Sequence, residues 1–142
     1  MIEMWRGAVN TWECDEMGHM NVRHYVGKAW EGVATLADLV DMPHAFRRGH
    51  GAVLLPAHQH VRFLKEVRPG QPIVLRGAVI GVTDTTTDLY QELVHVETGE
   101  IAAAIRTRLV HLDRWEASVF PWSRRVRAQL DRLVTQVPEA VP

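Results

Sequence analysis

Asn21-Val22-Arg23-His24-Tyr25-Val26-Gly27-Lys28-Ala29-Trp30-Glu31-Gly32-Val33-Ala34-Thr35-Leu36-Ala37-Asp38-Leu39-Val40 carries the strongest periodic signal in the chain. Val22, Tyr25, Val26, Ala29, Trp30, Val33, Leu36, Ala37 and Val40 recur at steps of three and four, which gathers them into one broad stripe of a helix. His24, Lys28, Glu31, Thr35 and Asp38 fall on the other side. Asn21 stands where an N-cap belongs, and Pro43 follows the end. Gly27 and Gly32 each cost about 1 kcal/mol against alanine, a cost that makes sense if a neighbour packs close.

The segments around this helix read as strands. Arg6–Glu13 is a short candidate, Gly51–Val67 is long and β-rich, and Ile73–Thr83, Thr86–Val96 and Ile101–Asp113 follow in close succession. Short turns at Arg68–Pro72 and Glu97–Glu100 make the last strands an antiparallel meander. Ser123–Gln136 is a second, weaker helix, with Val126, Leu130, Leu133 and Val137 on one side. One buried helix among strands gives an α+β domain in which a curved antiparallel sheet of about five strands wraps the helix. Within Gly51–Val67, alternation sends Val53, Leu55, Ala57, Val61 and Phe63 toward the helix, and His58, His60 and Arg62 away from it. The open sheet edges invite a second copy.

Composition narrows the function classes. The 142 residues are 46% hydrophobic and 23% charged, enough apolar surface for one folded domain. A net charge of -1, from 16 basic and 17 acidic residues, argues against a nucleic-acid partner. Cys14 is the sole cysteine, so an internal disulfide and a CxxC metal site are both excluded. No apolar run approaches the ~20 residues of a membrane helix, and Met1–Arg6 lacks the pattern of an export signal. The expectation is a cytoplasmic protein with no membrane partner. Pro138–Pro142 reads as a loose tail.

The segment entering the helix, Glu13-Cys14-Asp15-Glu16-Met17-Gly18-His19-Met20-Asn21-Val22, gathers acids, a histidine and an asparagine before a helix N-terminus. Such a terminus exposes unpaired N–H groups and partial positive charge, which can hold an oxyanion beside a carboxylate acting as nucleophile or base. The same residues have plainer readings. Asn21 serves as a cap, Glu13 and Glu16 as surface charges, Asp15 as a loop hydrogen-bond acceptor, and His19 either orients the loop or lines a pocket. A Cys14 thiolate beside three acids is electrostatically disfavoured as a nucleophile. His58 and His60 have a spacing that could bind zinc, but third and fourth ligands are not evident, so no metal is expected.

Cys14-Asp15-Glu16-Met17-Gly18-His19-Met20-Asn21-Val22-Arg23-His24-Tyr25 resembles the loop of hotdog-fold acyl-CoA thioesterases of the 4-hydroxybenzoyl-CoA thioesterase type. In that family an aspartate, two variable residues, Gly-His-Met/Val-Asn and a tyrosine four residues on form the motif. His60–Pro72 is similar to the family's second long strand and turn, and the likeness covers about residues 5–113. The resemblance implies a single hotdog domain over residues 1–142, with 119–142 as terminal helix and tail. It implies hydrolysis of an acyl-CoA to free acid and coenzyme A, with coenzyme A part of the substrate and no separate cofactor. Asp15 would attack the thioester or activate water, the Val22 amide would receive the oxyanion, and His19 and Asn21 would shape the loop. Tyr25, His58, His60, Arg62 and Lys65 would contact substrate, and Arg68, Arg106 and Arg108 are further cations for the phosphates. The family's site lies between subunits, which implies a homodimer or a dimer of dimers. The chain departs from relatives that carry a histidine seven residues after the aspartate, where Val22 stands. Glu31, the candidate for branches that use a helix glutamate, falls opposite the apolar stripe. A non-catalytic acyl-binding or assembly protein, and a hydratase or dehydratase, are the competing readings on this fold.

Overall fold

The computed structural model describes residues 1–137, so the tail Pro138–Pro142 lies outside the described residues. The strands are β1 (Ile2–Ala8), β2 (Ala52–Phe63), β3 (Pro72–Val82), β4 (Thr86–His95), β5 (Ile101–Asp113) and the short β6 (Ser118–Val119). The helices are α1 (Val22–Leu39), α2 (His44–His50) and α3 (Arg124–Leu133). The strands form one antiparallel sheet in the order β1-β3-β4-β5-β2, with β6 on β5. The sheet curves around α1, and α3 extends the core at the far end. This is the hotdog fold.

The core is the contact between α1 and the inner sheet face. Tyr25, Ala29, Val33, Leu36 and Ala37 on α1, with Leu75, Leu89, Leu93 and Leu109 on the sheet, are almost wholly buried. Gly32 is required at this contact, because a Cβ there would lie 2.5 Å from Leu75 Cδ2 and 3.0 Å from Gln91 Nε2. Gln91 Nε2 fills the space by donating to Ala29 O at 2.9 Å. Gly27 has no atom within 4 Å of such a Cβ, so no close neighbour in the chain explains it.

Several expectations change. The first strand runs over Ile2–Ala8 rather than Arg6–Glu13, and Thr11–Glu13 is a single 3-10 turn. The strand pattern at Val9–Glu13 breaks because Glu13 Oε1 accepts the Asn10 N–H at 2.9 Å, closing a local turn. Lys28 and Thr35 were placed on the polar side of α1, but β1 covers that side. Lys28 is 5% exposed, and Thr35 Oγ1 donates to Met4 O at 2.9 Å. Glu13 is a buried acid rather than a surface charge.

β2 contains a register shift between Pro56 and His58. A bulge adds one residue and so exchanges the faces on either side of it. Val61 and Phe63 point inward beside Ile105 and Ala103, as alternation requires. Before the bulge, Leu54 and Pro56 take the inner face, opposite His111 and Leu109, whereas Val53 and Leu55 point away from α1. Leu55 is 45% exposed as a result.

The far end of α1 is held by Asp41, which adopts φ 64 in the left-handed region after the last turn. Its Oδ2 accepts from Arg125 Nε at 2.9 Å and Gln129 Nε2 at 3.1 Å, tying α3 to the end of α1. The Arg125 hydrogen bond holds the Asp41 carboxyl below its ordinary value.

Candidate active site

The loop between Cys14 and Met20 is a tight turn whose ends pair as an isolated antiparallel bridge. The Asp15 N–H donates to His19 O at 2.9 Å and Gly18 N–H donates to Asp15 O at 3.0 Å. Gly18, at φ +78, supplies the left-handed residue that the reversal needs. The loop is fastened on two sides. Met20 N–H donates to Val67 O at 2.7 Å, and Asn21 N–H donates to Glu13 O at 2.8 Å.

Asn21 is the N-cap of α1. Its Oδ1 accepts the Arg23 N–H at 3.2 Å, and its carbonyl accepts the His24 N–H at 3.0 Å. Val22, the first helical residue, has no intrahelical acceptor for its own N–H. Val22 is 57% exposed, and this end of α1 carries the partial positive charge of the helix.

Asp15 is exposed on this turn, opposite His19 and one residue beyond the Cys14–Met20 bridge. Its Oδ1 accepts the Met17 N–H at 3.0 Å, while Oδ2 makes no hydrogen bond among the described residues. Its charge reaches neighbouring groups. Burial first, then the charges of Asp15 and Glu13, push the Cys14 thiol up, which disfavours a thiolate there. Burial, with help from Glu66 and Asp15, likewise raises the Tyr25 hydroxyl.

Tyr25 sits on the first turn of α1 and is 4% exposed. Its hydroxyl donates to Lys65 O at 3.3 Å, and its ring meets Phe63 edge-on with centroids 5.2 Å apart. His19 Nε2 lies 3.0 Å from Glu66 Oε2. The segment leaving β2, from Phe63 to Val67, is therefore the second wall of the site.

The structure thus places Asp15 opposite His19 on the turn, His19 against Glu66, Asn21 and Val22 at the start of α1, and Tyr25 against Phe63 and the Lys65 carbonyl. The Lys65 ammonium turns away to Glu100 Oε2 at 3.3 Å. His58, His60 and Arg62 pair with Arg108, Arg106 and Ala104 on the sheet face away from α1. There His58 and His60 line a groove of about 380 Å³ with Arg106, Arg108 and Asp88. The described residues contain no cluster of three His, Cys, Asp or Glu able to hold a metal ion. Among them, no helix is long and apolar enough to cross a membrane.

Residues 9–130 match the sequence profile of the Thioesterase-like superfamily. The chain belongs to this superfamily. No curated protein matches it in sequence. Several solved structures share the fold of this Thioesterase-like superfamily protein. Protein SAV2348 from Staphylococcus aureus, solved in complex with CoA, has a TM-score of 0.88 at 14% identity, over 98% of this chain and 92% of that one. The gentisyl-coenzyme A thioesterase BH1999 gives 0.80 at 13% identity, over 89% and 98%. Slr0204, a 1,4-dihydroxy-2-naphthoyl-CoA thioesterase from Synechocystis, gives 0.80 at 12% identity, over 89% and 93%.

Two features of this superfamily member's site escaped the sequence reading. Glu66 gave no motif signal, being one charge in Lys65-Glu66-Val67-Arg68. Beneath the loop, Lys28 Nζ meets Glu13 Oε2 at 2.8 Å and lies 4.3 Å from the Trp5 ring centroid. Burial works to raise the Glu13 carboxyl, but the hydrogen bonds from Lys28 and the Asn10 N–H, with the charges of Lys28 and His24, outweigh it and leave the pKa lowered. Spacing signals this pair only once the path of β1 along α1 is known.

Proposed function

We propose that the protein hydrolyses an acyl-CoA thioester to a free acid and coenzyme A, in the manner of the 4-hydroxybenzoyl-CoA thioesterase type. The observation that carries this reading is the turn entering α1, in which Asp15 keeps one carboxylate oxygen free and whose chain runs on into the Asn21 cap. The similar folds of two CoA thioesterases and of a protein solved with CoA support it.

In this reading the thioester carbonyl oxygen faces the Val22 N–H. Asp15 Oδ2 takes a proton from a water as its oxygen bonds to the carbonyl carbon. The oxyanion that forms is held by the Val22 amide and the helix end. The C–S bond then breaks and the electron pair leaves with sulfur. A thiol has a pKa of about 8.5 in the cysteine-like case, so the leaving thiolate needs little general-acid help. Direct attack by Asp15 gives the same products through a mixed anhydride that water then opens. Asn21 fixes the amide, and His19, held by Glu66, fixes the loop.

A second copy completes the assembly. β2 lies at the edge of the sheet, and its Leu55 and Phe63 leave apolar surface exposed there. A homodimer through this region, or a dimer of dimers, covers that surface.

The test is thiol release from a panel of acyl-CoAs by the wild-type protein and Asp15→Asn. Release that falls at least about 100-fold in the variant, with unchanged thermal midpoint, supports the reading. Absence of release from every member, with retained acyl-CoA binding, supports a binding protein in which Asp15 only accepts the Met17 N–H.

A further inference from the structure

A cleft of about 520 Å³ opens between α1, α2 and the start of β2, within the range of small-molecule sites. Trp30, Ala34 and Leu54 contribute apolar lining, while Arg47, Arg48 and Arg114 surround it with positive charge. No acidic residue lines it. Among the described residues, none of these three arginines has a carboxylate within ion-pair distance. The Arg47 guanidinium donates to the Met42 carbonyl at 3.1 Å.

The other basic clefts differ. Arg108 is answered by Asp88 at 2.8 Å, Lys65 by Glu100 at 3.3 Å, and Arg127 by Asp84 at 2.9 Å and Asp131 at 3.1 Å. Three unanswered guanidinium groups around an apolar surface focus positive potential where a chain could lie. They offer forked donors that match a carboxylate. The cleft also connects to the site. Val22, Val26, Trp30 and Ala34 follow one another at steps of four along α1, and Val22 and Trp30 are 57% and 44% exposed. This apolar stripe runs about 12 Å from the amino end to the cleft.

We propose that this cleft takes the far end of the acyl group, and that its arginines select acyl chains ending in a carboxylate. The assignment rests on the thioesterase reading for the word acyl, but the binding chemistry of the cleft stands apart from it. An apolar stem lies on Trp30 and Ala34, and the terminal carboxylate meets Arg47, Arg48 and Arg114. The phosphates of coenzyme A are the other source of an anion, and the experiment separates them.

Calorimetric titration of the full chain with octanoate, octanol and coenzyme A, each against the wild type and Arg48→Gln/Arg114→Gln, reads the cleft without any hydrolysis. The expected result is octanoate bound at least tenfold more tightly than octanol, with that advantage lost in the double variant. Equal affinity for octanol, or octanoate affinity unchanged by the substitutions, overturns the proposal. Weakening confined to coenzyme A overturns it in favour of a phosphate subsite. No binding of either chain overturns it in favour of a second copy covering the cleft. Thiol release then tests the acyl assignment. Suberoyl-CoA is expected to be favoured over octanoyl-CoA at least tenfold in kcat/KM, with the ratio falling in the double variant. Octanoate binding with no thiol release from any substrate keeps the carboxylate site and removes the thioesterase reading. Thiol release without a suberoyl preference does the reverse.

Discussion

Lys28 Nζ and Glu13 Oε2 lie 2.8 Å apart, both side chains more than nine-tenths buried, directly beneath the loop that carries Asp15. Glu13 also anchors that loop through its carbonyl, which accepts the Asn21 N–H. The pair joins the 3-10 turn to the second turn of α1. Removing one partner strands a buried charge. Lys28→Met is expected to destabilise the protein by about 3–5 kcal/mol, and Glu13→Gln/Lys28→Met to recover much of the loss. Urea midpoints of the two variants and the wild type measure this, and a double variant no better than Lys28→Met would refute the charge argument.

The same pair sets an acid limit. The Glu13 carboxyl titrates below its ordinary value in the folded protein. Its contribution is therefore complete above the unfolded value of about 4.3 and is lost as pH falls through the folded value. The stability gap between wild type and Glu13→Gln should therefore hold at neutral pH and narrow as pH falls below about 4.3. A constant gap across that range would show that Glu13 acts through packing alone.

Gly32 and Gly27 are expected to respond in opposite directions to alanine. At Gly32 the new methyl meets Leu75 and Gln91, and overpacking of this kind costs about 1–3 kcal/mol. At Gly27 the space is open and the helix gains up to about 1 kcal/mol. Thermal midpoints decide the matter. A loss at Gly27 comparable to that at Gly32 would mean that another chain packs there.

Asn21 separates capping from electrostatics. Asn21→Ala should cost about 0.5–2 kcal/mol and lower kcat, because the cap fixes the amides at the end of α1. Asn21→Ser should retain both stability and rate. Asn21→Asp should keep the cap but lower kcat, since its charge opposes a developing oxyanion. Parallel denaturation and thiol-release measurements give the comparison, and full activity in Asn21→Asp would move the oxyanion elsewhere.

The elements legible in the sequence were those with strong local signals. β5 spans Ile101–Asp113 in both readings, and α1 starts after its Asn21 cap as the spacing requires. Local pattern failed where a distant segment decided the environment. Lys28 looks solvent-facing on a helical wheel, but β1 and Trp5 cover it. α2 was missed because His44-Ala45-Phe46-Arg47-Arg48-Gly49-His50 is short, glycine-bearing and has no buried residue to mark a face. Around the proposed site, the motif names Asp15, Asn21 and Val22, whereas Glu66 meets His19 only because the chain leaving β2 ends against the loop. His58 and His60 share the face turned from α1, as alternation predicts, and the bulge explains why Val53 joins it.

The interruption at Pro56–His58 also protects the free protomer. A straight twelve-residue border would let successive chains add on without end, as in a fibre. Pro56 brings no amide donor and the extra residue kinks the border beside it, so an arriving strand out of step finds donors and acceptors misaligned. An edge interrupted in this way is a poorer template for unlimited strand addition than a straight one.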